Sequence, residues 1–273
     1  MKKNIIKPSI LPGFMELLPK EQEIFDDMVS KIKNVYEDNG CLAIDTPIIE
    51  KAEVLLAKTG GETEKQVYNF QKGKNQLALR FDLTVPFARY VAQYYNDLVF
   101  PFKRYQIGKV YRGERNQKGR YREFYQCDID VIGKEKLSIG NDAWVISLAS
   151  KAFKSIGLID YRFQISNRKI LKGILSELKI DNVNEVMILI DKYDKVGKDV
   201  FSKELENIIG TEKSNYINKV LDLNGTNKEK IEELSKFNIE SKYFIEGIEE
   251  LKKICYTLSI LGVNEEDFEI RSE

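Results

Sequence analysis

Phe102-Lys103-Arg104-Tyr105-Gln106-Ile107-Gly108-Lys109-Val110-Tyr111-Arg112, followed by Gly113-Glu114-Arg115-Asn116-Gln117-Lys118-Gly119-Arg120-Tyr121-Arg122 and by Glu123-Phe124-Tyr125-Gln126-Cys127-Asp128-Ile129-Asp130-Val131-Ile132, carries the clearest alternation and the densest charge of the chain. Its two ends, Lys103 to Arg112 and Glu123 to Ile132, read as the arms of a long antiparallel hairpin around a charged loop. Alternation along the returning arm places Gln126, Asp128 and Asp130 on one face and Cys127, Ile129 and Val131 on the other. The apolar face reads as core. From alternation alone, the plainer reading of the polar face is a half-solvated sheet, as antiparallel sheets commonly are.

Upstream, Gln66 to Phe70 and Gln76 to Thr84 flank Lys72-Gly73-Lys74-Asn75, the pattern of a second hairpin. If the strand runs to Thr84, then Arg80, Asp82 and Thr84 share a face and Leu79, Phe81 and Leu83 take the opposite one, so two polar-faced strands would line one floor. Further upstream, Ile24, Phe25, Met28, Val29, Ile32, Val35 and Tyr36 recur at helical spacing between Lys20 and Asn39, with Gly40 placed to end the helix in a left-handed turn. From about Asn141 the pattern turns helical, with Val145, Leu148, Ala149 and Phe153 on one face and Lys/Glu-rich helices after Asn167. The fold class that follows is α+β: an antiparallel sheet with helices against it, then a helical appendage.

Composition narrows the chemistry. With 273 residues and 42% hydrophobic content the chain can bury a sizeable core, and 43 basic against 43 acidic residues give no global positive field. The sequence contains 0 histidines, which removes Ser/His/Asp and Cys/His nucleophilic machinery and the commonest zinc ligand. Cys41, Cys127 and Cys255 are odd in number and far apart, as suits reduced thiols in a cytosol rather than a disulfide frame or a zinc cluster. No run is long and apolar enough to suggest a membrane span or an export signal, so a cytoplasmic protein with no membrane partner is expected. Between the hairpin arms Arg112, Arg115, Lys118, Arg120 and Arg122 cluster, and guanidinium forks match the bidentate geometry of phosphate oxygens. The competing reading is a solvated charge run balanced by Glu114 and Glu123.

The run from Phe102 through Val110-Tyr111-Arg112-Gly113-Glu114-Arg115 to Arg120-Tyr121-Arg122-Glu123-Phe124-Tyr125-Gln126-Cys127-Asp128-Ile129-Asp130 resembles motif 2 of class II aminoacyl-tRNA synthetases in its histidyl form. Pro12-Gly13-Phe14-Met15-Glu16-Leu17-Leu18-Pro19 is similar to that family's opening segment. Gly40 to Glu50, with Thr46-Pro47, resembles motif 1, and Arg80-Phe81-Asp82-Leu83-Thr84-Val85-Pro86 resembles the amino-acid-binding strand. Asn167-Arg168-Lys169 and Asp191-Lys192 fall where histidyl enzymes carry comparable residues.

The resemblance implies a partial class II catalytic core over residues 1–166 and a mostly helical insertion over 167–273. It implies activation of histidine by ATP, with Mg2+, and transfer to tRNA(His) by a homodimer joined through motif 1. It casts Arg112 as the catalytic residue gripping the α-phosphate, Glu114 at the adenine edge and Arg120 at the outer phosphates. Asp82, Thr84 and Gln126 would take the α-ammonium group, and Asp130 would accept a hydrogen bond from the imidazole; no protein metal ligand is implied. Full-length relatives continue into an Arg-Gly-Leu-Asp-Tyr-Tyr signature, motif 3 and an anticodon-binding domain. The expectation is therefore a truncated piece of such an enzyme, inactive or very weak alone. A synthetase-like regulatory subunit of ATP phosphoribosyltransferase, which also lacks the anticodon domain, is the alternative, although such proteins usually lose several of these positions.

Overall fold

The computed structural model describes residues 7–57, 62–115 and 118–272. Two compact units divide them: Met1–Leu137 with Lys151–Gly157, and Ser138–Ser150 with Leu158–Glu273. The boundary expected after residue 166 falls inside the second unit, because a strand just before it pairs with the last strand of the chain.

The first unit opens with α1 (Pro19–Asp38). Proline at its first position needs no backbone partner, and Glu21 reaches back to accept from Leu18 N–H at 2.9 Å. The helix ends as its spacing predicts: Gly40 takes φ +81°, and Cys41 N–H donates to Tyr36 O at 3.0 Å. After β1 (Leu42–Ala43) and β2 (Ile49–Lys51) come two short helices, α2 (Ala52–Leu55) and α3 (Glu62–Gln66). The first expected hairpin follows as β3 (Asn69–Lys72) and β4 (Asn75–Leu79), turning at Gly73 with φ +61°.

Here one expectation fails. The strand ends at Leu79 rather than Thr84, and Thr84 starts a helix, α4 (Thr84–Gln93). Asp82 Oδ1 accepts from Val85 N–H at 2.9 Å, capping the helix, and Pro86 fits its first turn. Arg80, Asp82 and Thr84 therefore do not alternate along a strand. The second expected hairpin forms as read: β5 (Phe102–Tyr111) pairs antiparallel with β6 (Glu123–Ile132), while β1 lies parallel to β5 on its other side. The sheets β1-β5-β6 and β2-β4-β3 are tied where β4 ends, through Arg80 N–H to Ile48 O at 2.9 Å and Tyr111 N–H to Arg80 O at 3.0 Å.

Helix α5 (Gly140–Ser155) contributes residues to both units. The second unit continues with β7 (Phe163–Ile165), then α6 (Arg168–Glu177), α7 (Val183–Ile190), α8 (Tyr193–Val196), α9 (Lys198–Ile209), α10 (Thr211–Leu221), α11 (Asn227–Lys236), α12 (Lys242–Ile260) and β8 (Phe268–Ile270). Its core runs through Ile170, Ile174, Phe201, Leu205, Leu234, Phe244 and Leu251, all nearly fully buried. Helix α11 holds the last strand: Asn227 Nδ2 donates to Phe268 O at 3.1 Å, Ile270 N–H donates to Asn227 Oδ1 at 2.8 Å, and buried Lys230 reaches Glu269 at 2.6 Å.

Helices α6 and α12 approach so closely that a side chain at Gly173 has no room: a Cβ there would sit 2.7 Å from Phe244 N and 2.9 Å from its Cα, both backbone atoms. Gly173→Ala should therefore destabilise the second unit by about 1–3 kcal/mol through overpacking, although alanine alone favours helix by about 1 kcal/mol. Chemical denaturation reads the sign. A variant as stable as the parent would mean that the helices are not held this closely.

Candidate active site

The register of the long hairpin assembles the site. Across β5 and β6, Arg104 faces Asp130, Gln106 faces Asp128 and Gly108 faces Gln126. The β6 side of this face, Gln126, Asp128 and Asp130, is half-buried, as alternation favours, but the facing β5 side is closed off. Arg104 is 0% and Gln106 1% exposed, whereas Cys127, Ile129 and Val131 on the opposite face stay only half-buried. The cover comes from elements distant in sequence. Arg80, also buried, crosses the sheet and donates to Lys109 O at 2.7 Å and Thr46 O at 2.6 Å. Its guanidinium lies where a side chain at position 108 would be: a Cβ on Gly108 would come 2.4 Å from Arg80 Nη2. Gln106 Nε2 donates to Asp45 Oδ1 at 3.0 Å and to Thr46 Oγ1 at 3.1 Å. Arg80 and Gln106 thus brace the sheet instead of presenting free polar groups.

At the other end of this face lies a group of carboxylates around one guanidinium. Arg104 Nη2 is in ion-pair contact with Asp130 Oδ2 and donates to Leu83 O at a long 3.4 Å, and its guanidinium carbon lies 4.2 Å from the centre of the Phe87 ring on α4. The ion pair is a charge contact, not an aligned hydrogen bond, since Asp130 Oδ2 is buried without a hydrogen-bond partner. Gln126 Oε1 and Arg104 Nε and Nη1 are likewise buried and unpartnered. Burial pushes the Asp130 carboxyl above the usual range, against the pull of Arg104 and with help from Asp82. Asp128 is raised in the same way by burial, opposed by Arg104 and Arg112 and reinforced by Asp130 and Asp82. Burial lowers Arg104, while Asp130, Asp128 and Asp82 favour its charge. Asp82 is thus within electrostatic reach of the β6 carboxylates even though it caps a helix; Thr84 is exposed at the start of that helix.

The charged loop builds a second place beside the first. Arg112, Glu114, Gly119, Arg120, Tyr121 and Phe124 line a cavity of about 330 Å³. Arg112 donates from Nε to Phe81 O at 3.2 Å and lies between the rings of Phe81 and Phe124, 4.5 and 5.1 Å from their centres. Stacked in this way its fork is held in place, and no carboxylate among the described residues lies within ion-pair distance of it. Glu114 Oε2 is 3.5 Å from Arg120 Nη1, whose side chain is largely exposed. The loop base is fastened by Arg122, which donates from Nε to Glu114 O at 3.1 Å and from its backbone to Gly13 O at 2.7 Å, so the Pro12-Gly13 segment packs here. Asn116 and Gln117 lie outside the described residues.

The expected site residues therefore form two neighbouring groups: Gln126 and Asp130 on the hairpin with Asp82 from the β4–α4 connection in one, Arg112, Glu114 and Arg120 at the hairpin loop in the other, with Arg112 close enough to act on Asp128. Arg104 was missed, although the alternation that selects Asp130 also places it on the facing strand. Among the described residues no group of three carboxylate, thiol or imidazole ligands could hold a metal ion. Asn167 and Lys169 serve the second unit: Asn167 caps α6 by accepting from Lys169 N–H, and both side chains bind Glu250, at 2.8 and 2.5 Å. No helix among the described residues is long and apolar enough to cross a membrane.

Comparison with known proteins bears on this arrangement. The family model described as histidyl-tRNA synthetase matches residues 13–269. A histidine–tRNA ligase of Clostridium acetobutylicum is 60% identical over 267 residues, covering 98% of this chain and 62% of the relative. One from Clostridium tetani is 49% identical over 271 residues, with 99% and 62% covered. The crystal structure of histidyl-tRNA synthetase from Nostoc sp. PCC 7120 superposes with a TM-score of 0.88 at 34% identity, covering 98% of this chain and 62% of that one. The chain thus spans less than two thirds of the length of these proteins, over a match that takes in the whole hairpin site, and it belongs to the histidyl-tRNA synthetase family.

Proposed function

We propose that this chain carries the histidine- and ATP-binding part of a histidine–tRNA ligase. The observation that carries the reading is the group of Asp82, Asp128 and Asp130 carboxylates gathered around the one buried guanidinium of Arg104, beside a buried Gln126 Oε1 that meets no hydrogen-bond donor among the described residues. A seat of that kind calls for a ligand rich in N–H groups and bearing positive charge. Histidine supplies both: its α-ammonium group fits Asp82, Thr84 and Gln126, and an imidazole N–H fits Asp130. An apolar competitor would leave the half-buried Asp130 without a ligand N–H to accept, which disfavours it.

In this reading the histidine carboxylate attacks the α-phosphorus of ATP and pyrophosphate leaves; the histidyl group then passes to the 3′ end of tRNA(His). Arg112 grips the α-phosphate, Glu114 meets the adenine edge and Arg120 reaches the outer phosphates. Their task is positioning and charge stabilisation, which needs no histidine side chain from the protein. Mg2+ that accompanies ATP would be held largely by the phosphates with one or two carboxylates, and no step here is routed through it. We also propose homodimer formation through Gly40 to Glu50, where Leu42, Ile48 and Ile49 are exposed apolar side chains. The alternative, a regulatory subunit of ATP phosphoribosyltransferase, has less support, because the ligase relatives align at high identity.

A thermal-shift panel of the twenty amino acids tests the substrate. A ligand at a hundredfold excess over its Kd stabilises by about 2.7 kcal/mol, so histidine should raise the melting temperature by roughly 5 °C or more. A larger shift with another amino acid would overturn the assignment.

A further inference from the structure

Arg104 is the most deeply buried charge on the polar face, 0% exposed in mid-strand and paired in register with Asp130. Burying a guanidinium costs several kcal/mol unless its partners compensate, yet Arg104 leaves Nε and Nη1 without hydrogen bonds. A residue kept only for stability would be served as well by an apolar side chain on the Phe87 ring, since apolar replacement of buried ion pairs is often neutral or stabilising. What Arg104 alone does is join the two sides of the amino-acid seat: it contacts Asp130 on β6 and donates to Leu83 O, between Asp82 and Thr84.

We propose that Arg104 is a positioning and specificity-determining residue, holding Asp130 as an oriented anion so that it can accept the side-chain N–H of the substrate; this rests on the histidine reading above. Every other influence on Asp130 works against its charge. Burial raises it and Asp82 raises it further, while Asp128, two residues along the strand, bears a carboxylate on the same face; Arg104 is the cation that opposes them. Without Arg104 the carboxyl takes up a proton nearer neutrality. It then becomes an O–H donor as well as an acceptor and no longer selects for a ligand N–H.

The test is a 13C titration of the Asp130 carboxyl in the chain without ligand, its signal assigned by its loss in Asp130→Asn. In Arg104→Met the midpoint should rise by at least one pH unit, equivalent to tenfold, whereas Arg104→Lys, which keeps the charge, should stay near the parent. An unchanged midpoint in Arg104→Met would overturn the proposal. If the methionine variant does not fold, Arg104→Gln takes its place under the same criterion. The second readout is histidine affinity at pH 6 relative to pH 8, divided by the parent's ratio to cancel the ligand's own imidazole titration. Because the variant's Asp130 is raised, its affinity is retained above the new midpoint and lost as pH falls through it, so the normalised ratio should fall below one. A normalised ratio of one would also overturn the proposal. Absence of histidine binding by the parent would instead defeat the substrate reading, leaving the ligand-free titration to decide the role of Arg104.

Discussion

Asp130→Ala should lower histidine affinity by roughly 100-fold and at the same time cost about 3–5 kcal/mol of stability. The two losses have separate causes. Affinity falls because a hydrogen bond to a charged acceptor contributes about 1.5–3 kcal/mol, and the upper end applies where both partners are out of water. Stability falls because Arg104, fully buried, loses its carboxylate and becomes an uncompensated charge. Asp130→Asn separates them. It keeps an acceptor oxygen and the shape of the seat but still removes the anion, so affinity should drop less than in alanine while the unfolding midpoint drops by a similar amount. Combining Asp130→Ala with Arg104→Met should recover much of the stability and none of the affinity. Calorimetry and urea denaturation on the same preparations read both quantities. Full stability in Asp130→Ala would mean that Arg104 is not held by this pair.

Arg112→Ala should reduce ATP binding by roughly 10- to 100-fold, the scale of losing a hydrogen bond between charged groups, about 1.5–3 kcal/mol. The argument rests on the stacking of Arg112 between Phe81 and Phe124 and on its bond to Phe81 O, which together fix the plane of the fork before any ligand arrives. Lysine carries the charge but neither stacks nor presents a planar fork, so Arg112→Lys should recover only part of the loss. Phosphorus NMR of ATP with the chain added resolves this even at low affinity, through broadening of the α-phosphate signal. Broadening that persists unchanged in Arg112→Ala would place the nucleotide elsewhere. Arg120, exposed and bridged to Glu114 at 3.5 Å, should matter less.

What could be read from the sequence was local. Gly40 after an apolar helical stripe marked the end of α1, and the Gly73 turn and the long polar-apolar alternation marked both hairpins, because turn chemistry and a period of two are properties of neighbouring residues. The misreading of Arg80 to Thr84 came from extending that period past Leu79, where a local signal of another kind takes over: Asp82 accepts from the first turn of a helix, and Pro86 fits within that turn. The character of the polar face was not local at all. Arg80 comes from the other sheet to lie over Gly108, and α4 brings Phe87 against Arg104, so the β5 half of a face that alternation assigns to solvent is buried while Gln126, Asp128 and Asp130 on β6 stay half-buried. Arg104 was hidden for the same reason: its partner is 26 positions away (130 − 104), and only the strand register shows that the two share a rung.

The face carrying Gln126, Asp128 and Asp130 is proposed as a seat for histidine. Calorimetric titration of the chain with histidine, set against phenylalanine of similar size and shape, tests it most directly. The account predicts saturable binding of histidine at one site per chain and no detectable binding of phenylalanine, because only histidine offers an N–H to Asp130. Equal binding of the two, or no saturable heat with histidine, would contradict it.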